Sequence, residues 1–91
     1  MSIQAFIKDP SARKDYGFDW GTLWLNGDTI SASEWILPTG ITKFDESNTT
    51  TDTTIWLTGG TAGTDYLVTN QITTAGGRIE QRSIKIQVRE Q

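Results

Sequence analysis

The stretch that decides the fold runs from Thr64 to Val88: TDYLVTNQITTAGGRIEQRSIKIQV. From Thr64 to Thr74 every second side chain suits an interior, with Tyr66, Val68, Asn70 and Ile72 on one face. That period of two marks a half-buried strand. Ala75-Gly76-Gly77 then turns the chain back as a hairpin. Alternation resumes from Arg78 to Arg89, where Ile84, Ile86 and Val88 are expected inward. Arg82, Lys85, Gln87 and Arg89 are expected largely outward. Charges at such positions suit an edge or terminal strand, where they block edge-to-edge aggregation.

Working outward from the hairpin, the same grammar repeats. Thr53–Thr58 alternates, with Ile55 and Leu57 facing one way and Trp56 the other. Ile41–Glu46 is a weaker strand, followed by a polar loop over Ser47–Asp52. Thr29–Leu37 puts Ser33, Trp35 and Leu37 on one face. Asp15–Leu25 alternates aromatics, with Tyr16, Phe18 and Trp20 inward, and Asn26-Gly27-Asp28 turns it. Ile3–Lys8 reads as a first strand or an extended arm, closed off at Pro10. No window of helical length shows a 3.6-residue period. Fifteen threonines agree with this reading, because β-branched residues suit strands. The expectation is an all-β sandwich of about seven antiparallel strands in one domain over residues 1–91, with 1–10 as an arm or edge strand.

Composition excludes much chemistry. The chain has no histidine and no cysteine, which removes the serine–histidine triad, the cysteine–histidine pair, the zinc finger and the disulfide. Gly59-Gly60-Thr61-Ala62-Gly63 lacks the lysine and spacing of a phosphate loop and reads as a turn. Asp15 with Asp19, or Asp45 with Glu46, offers carboxylate pairs but no cleft to hold a substrate between them. Asp45–Asp52 lacks the spacing of a calcium loop. No catalytic residue, cofactor or metal is expected. The net charge of −3 gives no pull toward nucleic acid. No apolar run approaches the roughly 20 residues of a membrane span. The opening residues look unlike a signal peptide, so synthesis in a cytoplasm, or inside an infected cell, is expected.

Two resemblances add to this. Leu57, a glycine turn, and then Gly63-Thr64-Asp65-Tyr66 resemble the tyrosine corner of immunoglobulin-like and fibronectin-III-like sandwiches. In that corner a tyrosine opening a strand bonds its hydroxyl back to nearby backbone. Lys8–Ala12, Asp15–Trp20, Thr53–Thr64, Ile72–Arg78 and Arg82–Arg89 resemble small virion proteins of tailed bacteriophages, the fiber–tail adaptors. The chain departs from their commoner pattern at Thr22-Leu23-Trp24, where an extra aromatic sits. The resemblance implies an immunoglobulin-like, non-enzymatic module of the virion, located in the tail, in several copies with a cyclic arrangement. Its implied partners are other tail or fibre proteins.

The residues expected to make contact are Ile3, Phe6, Ile7, Trp24 and Trp56, through an unpaired strand edge and exposed aromatics. Two other readings compete. One is a capsid decoration or cement protein. The other is a carbohydrate-binding module for host-surface glycans that stacks sugars on Trp24, Trp35 or Trp56.

Overall fold

Each alternating segment becomes a strand in the computed structural model, which describes residues 4–21 and 25–90. The strands are β1 (Gln4–Lys8), β2 (Lys14–Asp19), β3 (Ile30–Ile36), β4 (Ile41–Asn48), β5 (Asp52–Gly59), β6 (Asp65–Thr74) and β7 (Ile79–Val88). They form two sheets, one in the order β1-β7-β6-β3 and the other β2-β5-β4. Every pairing is antiparallel except β1 with β7, which is parallel.

The core lies between the sheets. Tyr16, Phe18 and Trp20 face it from the smaller sheet with Ile55 and Leu57. Val68, Ile72, Ile84, Ile86 and Val88 face it from the larger one. Burying each such side chain contributes roughly 1.5–3 kcal/mol, which makes the alternation decisive for the register. Gly60 fits beneath Val88 only because it has no side chain. A Cβ there would lie 2.7 Å from Val88 Cγ2, on a backbone with φ of 97°.

A polar cluster crosses the core. Asn70 Oδ1 accepts hydrogen bonds from Trp20 Nε1 at 3.0 Å and Thr53 Oγ1 at 2.7 Å. Asn70 Nδ2 donates to Ser33 Oγ and to Glu34 O, both at 3.0 Å. The amide is fully buried, and both its donors and both acceptor sites are used. Trp20 Nε1 also donates to Thr53 Oγ1 at 3.1 Å. Asn70 therefore ties the end of β2 and β5 to β6 and β3, through the interior.

Three expectations are corrected. The second strand stops at Asp19, not Leu25. Beyond it the Trp20 indole turns in to Asn70, and Gly21 N bonds Thr51 O at 3.1 Å. The last strand is not an edge, because β1 covers its other side. Its charges therefore do not guard an edge. Arg89 instead reaches Asp65 at 2.9 Å, and Arg78 reaches Asp28 at 3.2 Å. Finally, Arg82 shares the parity of Ile84 and Ile86 and points inward rather than outward. Its guanidinium lies over the Trp20 ring, 5.8 Å from the centroid.

Candidate interaction site

An edge and a face present groups for contact. The edge is β1. Its outward residues Ala5 and Ile7 are exposed, and so is Phe6 on the inward side. Phe6 closes the seam between the two sheets by packing on Tyr16, with ring centroids 5.2 Å apart. Lys8 anchors the strand. Its side chain is fully buried, and Nζ donates to Gly59 O at 2.8 Å and to Asp9 O at 3.0 Å. Burial pushes the amine's pKa below its ordinary value, with Lys14 adding to the shift and Asp9 opposing it. The other edges carry protection. β3 and β4 each contain a bulge, and β2 bears Asp15 and Asp19. The backbone of β1 has no bulge and no acidic residue.

The face is the outer side of β2-β5-β4. Trp56 is 38% exposed at its centre. Asp15 on β2 and Asp45 on β4 are its register partners, so the three side chains form one row across the sheet. Phe44 sits at the β4 bulge, 54% exposed. The Arg13 guanidinium carbon lies 3.7 Å from the centroid of the Phe44 ring. Beyond Trp56, a shallow depression of about 340 Å³ lies over Gly17, Asp19, Asp52 and Thr54. Gly17 is required there, because a Cβ would come within 2.5 Å of Thr53 O. Asp19 and Asp52 face each other as register partners. Desolvation first, and then the neighbouring Asp19, push the Asp52 carboxyl above its ordinary value.

Behind these surfaces, Tyr66 Oη accepts a hydrogen bond from Thr61 N at 2.9 Å. Leu57 is fully buried beneath, and Gly63 N donates to Val88 O at 2.8 Å. Hydrogen bonds from Thr61 draw the Tyr66 phenol below its ordinary pKa, against the effect of burial.

Residues 8–87 match a family described as the Podophage GP4 fiber-tail adaptor protein gp77. The chain belongs to that family. The match opens at Lys8, so it takes in the anchor of β1 and the whole Trp56 face but not Gln4–Ile7. A comparison with curated proteins returns no match.

The contact residues expected from sequence fall in different places on this adaptor-family fold. Ile7 lies on the outer side of the larger sheet and Trp56 on the outer side of the smaller one, so they do not share a surface. Ile3 and Trp24 lie outside the described residues. Trp35 is no sugar platform. It is buried to 7% exposure and stacked on Phe18 at 5.9 Å. Phe44 and Arg13 were not foreseen. The bulge puts Phe44 out of step with the alternation that pointed to Trp56, and no local pattern announces it.

Proposed function

We propose that the chain is a non-enzymatic structural component of a podophage virion, a single-domain adaptor that joins tail and fibre proteins. The observation that carries this reading is the family match over residues 8–87. The contacts are made by strand addition at the free edge of β1 and by packing on Trp56, two modes that need no moving part. Several copies act together in a cyclic arrangement, as heterologous contacts that close on themselves require. The chain is made in the host cytoplasm and works in the tail.

The fold is immunoglobulin-like on this reading. Three features support it. The strand order β1-β7-β6-β3 faces β2-β5-β4. The first strand pairs in parallel with the last. The phenol opening β6 accepts a hydrogen bond from backbone five residues upstream.

Mass spectrometry of purified particles and electron cryo-microscopy of the tail test the function together. The expected result is density for this fold between tail and fibre. Its absence from particles, or its location on the capsid shell, overturns the adaptor reading.

A further inference from the structure

We propose that the outer face of β2-β5-β4 is a docking surface for an arginine-bearing segment of a partner protein, with the guanidinium stacked on Trp56 between Asp15 and Asp45. This rests on the adaptor reading and names the chemistry of one of its contacts.

The cross-strand row supplies both the ring and the charges. Asp15 and Asp45 stand opposite Trp56 on the two neighbouring strands, about 5 Å to either side of the β5 backbone. An indole is the best aromatic face for a cation. Carboxylates beside it supply acceptors for the guanidinium's N–H groups, which form charge-assisted bonds. Neither Asp15 nor Asp45 is in an ion pair among the described residues.

At the β4 bulge, next to Asp45, the chain already stacks one guanidinium on an aromatic ring. Arg13 lies over Phe44, close to van der Waals contact with the ring. Trp56 is the larger ring, it is 38% exposed, and no group of the described chain stacks on it.

The charge balance points the same way. Asp15, Asp19, Asp45 and Asp52 all lie on this side of the sheet, against Arg13. Like charges directly opposite each other destabilise a sheet, and Asp19 faces Asp52 directly. A basic partner relieves that repulsion. An acidic or phosphate-bearing one increases it. Beside the row, the open depression over Gly17, Asp19, Asp52 and Thr54 leaves room above the sheet for the segment that carries the guanidinium.

The probe is a short Gly-Ser peptide carrying two arginines, titrated into the full chain and followed by amide and indole nuclear magnetic resonance. The control carries citrulline, the neutral isostere, in place of arginine. The expected result is that the arginine peptide shifts the Trp56 indole N–H and the Asp15 and Asp45 amides, and that citrulline does not. Affinity should fall with added salt, and by roughly tenfold in the Asp15→Asn/Asp45→Asn double variant. That variant should keep the melting temperature of the parent, since both residues are exposed. Equal shifts with citrulline, shifts centred elsewhere, or a Trp56 response to neutral glycans instead would overturn the proposal. So would self-association of the chain alone through this face.

In phage, the double variant should be depleted from particles. If it enters particles at the parental level, the docking proposal falls and the adaptor reading stands. If the parent chain itself is missing from the tail, the adaptor reading falls on a separate observation.

Discussion

Two buried phenols meet opposite fates. Tyr66 has a partner in Thr61 N, whereas Tyr16 Oη is buried with none among the described residues. Their substitution by phenylalanine should therefore diverge. Tyr66→Phe leaves the Thr61 amide without its acceptor and should lower the melting temperature. Tyr16→Phe removes a desolvated hydroxyl that gains nothing, so stability should hold or rise by up to about 1 kcal/mol. Calorimetry on both variants checks this, and equal losses would refute it. Asn70 is the strongest residue-scale case. Asn70→Leu keeps the volume but leaves the Thr53 hydroxyl proton without its acceptor and takes the amide donor away from Ser33 Oγ and Glu34 O, and should cost roughly 2–4 kcal/mol. A loss under about 1 kcal/mol in denaturant titration would mean that the polar cluster is not stabilising. The sequence placed Asn70 inward by parity alone. Nothing in it announced that Trp20 and Thr53 would meet its oxygen, because those partners are 50 and 17 residues away.

At the scale of elements, alternation located all seven strands but not their neighbours. Periodicity reports which face of a strand is buried and is silent on what lies beside it. Hence the charges of β7, near the end of the sequence, suit an edge or terminal strand, whereas the strand is flanked by β6 and β1. The parallel β1–β7 pair could not be inferred from turns, since about seventy residues separate the strands. What holds β1 in place is Lys8, whose amine ends on Gly59 O at the last residue of β5. Lys8→Ala should therefore loosen β1 without unfolding the sandwich. Hydrogen exchange should accelerate at β7 amides that bond to β1, while those that bond to β6 stay protected. Uniform acceleration across the molecule would show that β1 is integral to the fold and not a separately anchored strand. Lys8→Met, which keeps the alkyl packing, should give an intermediate effect.

At the scale of the whole molecule, the carboxylates act in opposition, and acid should reveal it. Asp28 sits between the turn before β3 and the β6–β7 hairpin. It accepts from Thr29 N, Gly76 N and Arg78 Nε. Hydrogen bonds from Thr74 and Thr29 foremost, with Arg78 and Gly76 adding, hold its pKa down at about 2. A depressed carboxyl contributes stability that is complete above its unfolded value and is lost as pH falls through its folded one. For Asp28 that loss runs from 3.8 down to about 2. Asp52 has the opposite sign. Its pKa is raised above 3.8 by desolvation and by Asp19 opposite. The folded protein therefore holds the Asp52 proton more tightly than the unfolded chain, and stability rises as pH falls through that raised value toward 3.8. The two groups together give a profile that climbs on mild acidification, passes through a maximum, and drops as pH falls below 3.8. Melting temperatures measured at low salt between neutrality and pH 2 should trace that hump. Asp52→Asn should flatten the climb and leave the drop. Asp28→Asn should lower the neutral plateau and flatten the drop. A profile that falls steadily from neutrality in the parent, and is unchanged in Asp52→Asn, would mean that the facing aspartates carry no repulsion. The acidic face would then have no electrostatic reason to seek a basic partner.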